Sequence, residues 1–250
     1  MDGAAATGTA PLDHVEERRD LAAAFRWFAR LGMNEGIANH FSLAVSPDGA
    51  TFLMNPYGFH WSQLCASDLL LLDAHEAPGD LGERVDITAW AIHGAMHRKV
   101  PHARCIMHLH PRFSTALACL KDPSLPPIDQ NSMRFFNRVA IDMGFDGMGL
   151  GDEAERLAGM LGNRSMMMMA QHGVLAAGPS AAACLDDLYY FEKAAETYMT
   201  ALATGRALNV ASDTVAEKTA RQWEAYPGAA TKHLSAIRAV LDREEPDYAS

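Results

Sequence analysis

Two histidines stand one residue apart inside the apolar run CIMHLHPRF, residues 105–113. Side chains alternate across a strand, so Ile106, His108 and His110 share one face while Met107 and Leu109 share the other. One face therefore reads as core, and the other holds two imidazoles side by side within reach of one ion. A pair of histidines hydrogen-bonded at a strand end fits the same pattern. Imidazole is the commonest metal ligand, but two do not make a site. His172 lies beside Gly173, where the chain can turn tightly, between the apolar runs MMMMA and GVLAAG. Alone, it reads as a turn histidine capping a strand.

Other histidines are less specific. His93 and His97 sit four apart in ITAWAIHGAMHRK, a helical spacing open to one ion, but they lack the glutamate of an HExxH motif. His14, His75 and His233 have polar neighbours and read as surface residues, as does His102 after Pro101. Asn39-His40, preceded by Gly36, reads either as an anion-binding loop or as a turn. Met166 to Met169 put two side chains on each face of a strand, which suits flexible core packing better than a soft-metal box.

These residues need elements to hold them. Helical spacing runs from Leu12 to about Leu31 and stops at Gly32. IANHFSLAV alternates as a strand, SPDG turns and TFLMN returns, a hairpin pattern. DLLLLD reads as a short, wholly apolar strand, followed by a loop, EAPGDLGERVD. The next helix spans Ile87 to Lys99 and ends at Val100-Pro101, because a residue before proline avoids the helical region. Then come the strand CIMHLH, ended by Pro111, the helix FSTALACLK, and SLPPIDQNSMRFFNRVAI as a loop leading to short strands. GDEAERLAGMLG is a compact helix with an aspartate at its start, and SMMMMAQHGVLAAG gives two strands around Gln171-His172-Gly173. A long helix capped by Ser180 follows, with further helices at TVAEKTARQWEAY and AATKHLSAIRAVLDRE. Alternating strands and helices with an early hairpin predict an α/β fold whose sheet is mixed or antiparallel.

Composition narrows the partners. The 250 residues are 49% apolar and 21% charged, and a formal charge of −10 with no run of Lys or Arg argues against nucleic acid and anionic membrane surfaces. No apolar stretch approaches the roughly 20 residues that cross a bilayer. The first residues lack the basic and apolar regions of a secretory signal. Cys65, Cys105, Cys119 and Cys184 are scattered without a CxxC pair, as expected of free thiols in a reducing compartment. The expectation is a cytoplasmic protein: a loose arm over 1–11, one domain over 12–205, and a helical extension over 206–250 packed on that domain or on a neighbouring subunit.

The order GIANHFSLAV, MNPYGFHWSQLCASDLLLLD, HGAMHRKVPHARCIMHLHP and AQHGVLAAG before a long helix resembles the class II aldolase/adducin domain. That family includes sugar-phosphate aldolases and epimerases, decarboxylases, and the head domain of the adducins. The resemblance implies a three-layer α/β/α sandwich around a mostly antiparallel sheet, assembled as a homotetramer with sites between subunits. It also implies one divalent metal per chain, zinc ahead of manganese or iron, held by His108, His110 and His172. Three neutral imidazoles leave positions open for a substrate.

The departures shape the functional expectation. The aldolase glutamate falls on Ala89, the phosphate-binding serines fall on Ile87 and Thr88, and Tyr57 stands where a small hydroxyl residue is usual. Asn39 and Gly58 match positions near the phosphate, and an aldolase tyrosine aligns loosely with Asp129-Gln130. These losses resemble the adducin branch more than the sugar-phosphate aldolases. The expected activity is a metal-dependent lyase reaction, aldolase- or decarboxylase-like, on a small, oxygenated, non-phosphorylated carboxylate. His93, one helical turn beyond Ala89, is the first acid/base candidate, with His40 and His60 behind it. Arg134 or Asn39 could hold a carboxylate, with Gly58, Thr88 and Gln130 completing the substrate site. Two alternatives remain: a non-catalytic adducin-like scaffold and a non-haem iron oxygenase.

Overall fold

The computed structural model describes residues 12–144, 147 and 152–250; the arm expected over 1–11 lies outside them. Seven strands form one sheet: β1 His40–Ala44, β2 Thr51–Met54, β3 Leu70–Asp73, β4 Cys105–Leu109, β5 Val139–Asp142, β6 Met166–Met169 and β7 Gly173–Gly178. Their order is β3-β2-β1-β4-β7-β6-β5. Every neighbouring pair is antiparallel except β5 and β6, which run parallel. The helices are α1 Val15–Arg30, α2 Ile87–Lys99, α3 Arg112–Ala118, α4 Gln130–Arg134, α5 Asp152–Leu161, α6 Ala181–Ala203, α7 Asp213–Glu224 and α8 Ala229–Glu244.

Strand alternation sorts the core into layers. Cys105, Met107 and Leu109 of β4 pack with residues of α1, α6 and α8, whereas Ile106 packs with α2 and α5 on the opposite face. The methionine run divides the same way, Met166 and Met168 to the first cluster, Met167 and Met169 to the second. All four are buried, each contributing about 1.5–3 kcal/mol of transfer free energy. The result is an α/β/α sandwich with helices on both faces of the sheet. No helix among the described residues is long and apolar enough to cross a membrane.

Local chemistry fixes the elements around β4. Asp86 caps α2, its Oδ1 accepting from the Thr88 and Ala89 amides at 2.9 and 3.3 Å. Glu192, on α6, accepts from the Phe113 and Ser114 amides at 2.8 Å each and from Ser114 Oγ at 2.5 Å. A buried carboxylate thus satisfies open amides at the start of α3 and fixes the chain just past His110.

The elements depart from expectation in three places. DLLLLD is an edge strand, so Leu70 and Leu72 point into the core while Leu71 is exposed. The proline-rich stretch read as loop contains α4, capped by Asp129, whose side chain accepts from the Ser132 amide at 2.7 Å. A short 3-10 helix occupies Gly79–Arg84. At the other end of the chain, α8 packs on α6 and α1. Tyr248 is fully buried, and Asp247 accepts from Arg26 Nη2 at 2.6 Å.

Candidate metal centre

Three imidazoles converge at the end of β4. The ligand nitrogens of His108, His110 and His172 all lie within 4.8 Å of one another, and each pair of rings is centred 4.7 Å apart. His108 belongs to β4 and His110 stands just beyond it, on the same face. His172 arrives from the β6–β7 turn, where Gln171 takes φ 59° and donates its amide to the Ala118 carbonyl at 3.0 Å. That left-handed conformation is uncommon for a residue with a side chain. Gly173 permits the approach: a Cβ there would lie 2.5 Å from the Leu109 carbonyl oxygen and 2.6 Å from His110 Cδ2.

The donor set fits a divalent cation. His108 Nδ1 faces the Val174 carbonyl at 3.0 Å, so it carries the proton and leaves Nε2 as a lone pair. His110 Nδ1 meets Glu35 Oε2 at 2.5 Å, and its Nε2 stands 2.9 Å from His108 Nε2. Two such lone pairs repel unless a proton or a cation sits between them. Tetrahedral zinc at its usual N distances would space them at about 3.3 Å. Burial first, then the neighbouring imidazoles, holds His108 well below the ordinary histidine pKa. Burial and His110 lower His172 to about 4. Neutral imidazole is the ligating form, and the carbonyl and carboxylate behind the rings are the orienting partners that metal-bound histidines use.

The triad opens on a cavity of about 540 Å³ lined also by Glu35, Ile37, His40, Tyr57, Asp86, Thr88, Ile92 and Thr115. Among the described residues no lysine or arginine lines it. The Thr115 hydroxyl is buried there without a protein partner.

The remaining candidates from the sequence are dispersed. His40 pairs with His108 across β1 and β4, their rings centred 4.9 Å apart, and it faces the cavity. His93 corrects the expectation of an acid/base at the cavity: it is fully buried, with His40 on one ring nitrogen and Ser42 on the other. Thr88 lines the cavity but gives its hydroxyl proton to Asp86 at 2.7 Å. Ala89 packs against Phe52 and Met54 rather than lining the cavity. Asn39 is buried and accepts from the Glu35 amide at 2.8 Å, so it steadies the loop that grips His110. Gly58 takes φ 86°, and its neighbour Tyr57 is the one that lines the cavity. His60 is exposed and caps a short 3-10 turn by accepting from the Ser62 amide.

Arg134 and Gln130 lie elsewhere in the chain. Arg134 Nη2 donates to Asp186 at 2.7 Å and Asp187 at 2.6 Å, with its guanidinium over Tyr190 and Trp223. Gln130 lines a separate groove with Trp223 and Tyr226. The residues that sequence reasoning missed are Glu35, Ser42, Asp86 and Thr115. Of these only Asp86 left a local trace, as a cap residue directly before a helical run.

Comparison with known proteins agrees with this architecture. Residues 19–199 match the family model of the class II aldolase and adducin N-terminal domain. An adducin-related protein of Schizosaccharomyces pombe is 31% identical over 94% of this chain and 77% of its own length. Decarboxylase NovR of Streptomyces niveus is 28% identical, covering 92% of this chain and 85% of that protein. The crystal structure of an aldolase II superfamily protein from Pseudomonas syringae superposes with a TM-score of 0.86 at 32% identity, over 97% of this chain and 98% of that one. The chain belongs to the class II aldolase and adducin family. Its fold is the one expected from the four ordered sequence blocks.

Proposed function

We propose that this protein is a divalent-metal-dependent lyase that cleaves a C–C bond in a small, oxygenated, non-phosphorylated carboxylate. The observation that carries the proposal is the convergence of the His108, His110 and His172 nitrogens within 4.8 Å on a cavity wall. His108, His110 and His172 would hold a divalent cation, zinc ahead of manganese or iron, which would supply Lewis acidity toward a substrate oxygen. His108 and His110 hold their nitrogens in the ligating tautomer through Val174 and Glu35. The Thr115 hydroxyl, buried without a protein partner, can donate to a ligand oxygen, and His40 lines the same cavity.

Charge supports the choice of substrate. Glu35 and Asp86 are the carboxylates on the cavity, with no lysine or arginine among its described lining residues. A carboxylate adds one negative charge beside Glu35 and Asp86 where a phosphate dianion would add two, so the smaller anionic charge suits this lining better. The decarboxylase among the relatives supports the same reading. Assembly as a cytoplasmic homotetramer with sites between subunits belongs to the proposal. Ile37 and Tyr57, at 41% and 49% exposure on the cavity rim, suit coverage by a neighbouring chain.

The test is turnover by zinc-, manganese- and iron-loaded protein on a panel of 2-hydroxy and 2-oxo acids and of sugar phosphates. Release of carbon dioxide or an aldehyde from an acid, lost in His172→Ala, is the expected result. Faster cleavage of sugar phosphates than of any acid would overturn the substrate assignment. Oxygen uptake matching turnover would make the protein an oxygenase instead. No metal uptake and no turnover would leave the adducin-like scaffold.

A further inference from the structure

Behind the cavity runs an unbroken chain of buried polar groups with one possible direction. His97 Nδ1 faces the Ala103 carbonyl at 2.7 Å, and a carbonyl can only accept, so that nitrogen carries the proton. Burial lowers the His97 pKa to about 4, which keeps the ring neutral and makes Nε2 a lone pair. Ser42 Oγ, 2.7 Å away, must spend its single proton on that nitrogen. His93 Nδ1, 2.5 Å from the same oxygen, must therefore donate to it. Burial also holds His93 neutral, so its Nε2 accepts from His40 Nδ1 at 2.8 Å. With Nδ1 turned inward and protonated, His40 carries its lone pair on Nε2, the opposite ring nitrogen, toward the cavity that it lines.

We infer that Ser42, His93 and His97 are positioning residues that lock His40 as a hydrogen-bond acceptor on the cavity, so that the preferred ligand is a 2-hydroxy acid whose hydroxyl donates to His40 Nε2 while its carboxylate meets the cation. The ligand half of this inference rests on the metal reading given above; the tautomer half does not. His40 is one ring removed from the three-histidine group and stands beside it rather than in it. A broken chain frees His93 and then His40 to turn the other tautomer outward, presenting a donor where an acceptor was.

Two measurements on the full chain test this. Long-range proton–nitrogen NMR of histidine-labelled, metal-free protein reads each tautomer directly. His40, His93 and His97 should all show a protonated Nδ1 and a bare Nε2. Ser42→Ala should mix the tautomers of His40 and His93, and Ser42→Thr, which keeps a hydroxyl, should restore them. A protonated Nε2 on His40 in the wild-type spectrum overturns the inference, whether or not the variants fold. The second measurement compares glycolate with methoxyacetate, which lacks the hydroxyl proton, in competition for zinc-loaded protein. Glycolate should bind roughly tenfold more tightly, the size of one hydrogen bond, and Ser42→Ala should remove most of that preference. An equal preference in wild type and Ser42→Ala overturns the ligand half. Absence of zinc uptake overturns it as well, through the metal reading, while the metal-free spectrum still decides the tautomers.

Discussion

At the scale of single residues, the site depends on groups that orient imidazoles as much as on the imidazoles. Glu35 shows this most plainly. Its carboxylate meets His110 Nδ1 at 2.5 Å and fixes which nitrogen is free to ligate. Glu35→Gln keeps the shape and removes the charge, so zinc affinity should fall about 10- to 100-fold, the usual cost of losing such a partner. Competition against a chelator of known affinity measures it, and unchanged affinity would show that the carboxylate is incidental. The three candidate ligands were legible in the sequence because strand alternation places His108 and His110 together and the ordered blocks bring in His172. Glu35 and Ser42 were not legible. Ser42 meets His93 and His97 of α2, which packs across the face of the sheet, and Glu35 reaches His110 from the loop before β1. Spacing along one segment carries no record of a partner far away in the chain.

Among the elements, the close contact between the end of β4 and the start of β7 decides whether the cluster forms. Gly173 is the narrow point, since any Cβ there meets the Leu109 carbonyl and the His110 ring. Gly173→Ala should force the strands apart, costing about 1–3 kcal/mol as overpacking does, and should weaken metal binding more than Ala substitution at exposed Gly82. Thermal melting and zinc titration of both variants check this; equal behaviour would contradict it. Periodicity located the strands and most of the helices. It missed α4 because the helix is only five residues long, beginning just past Pro126-Pro127 and the cap Asp129. It also put His93 at the wrong depth. The helical spacing from Ala89 to His93 indicates a shared face, but that face packs on the sheet, where both residues are fully buried.

For the molecule as a whole, stacking neutral histidines under a sheet has a consequence for pH. An unfolded histidine titrates near 6.5, whereas burial lowers folded His97 to about 4. Between those values the unfolded chain binds a proton that the folded one refuses, so stability falls as pH drops through that window. The difference corresponds to roughly 3 kcal/mol for this one ring. Buried Glu192 and half-buried Asp187, whose pKa values desolvation raises, act in the opposite sense. The clean readout is therefore a comparison. Between pH 7 and 4, the wild-type protein should lose roughly 2–3 kcal/mol more unfolding free energy than His97→Gln. Parallel urea curves for the two would contradict neutral burial of His97. The three-layer architecture was legible from alternation and from the family blocks. The packing of α8 against α1 and α6 was not, because its place at the end of the chain suited the same domain and a neighbouring subunit alike.

The central claim is that three imidazoles from two distant segments hold one cation, and metal content tests it most directly. Protein purified without added metal, then equilibrated with zinc and desalted, is assayed by elemental analysis beside its His108→Ala variant. The account predicts close to one zinc per wild-type chain and almost none in the variant. Equal metal in both, or none in the wild type under any supplied cation, would contradict it.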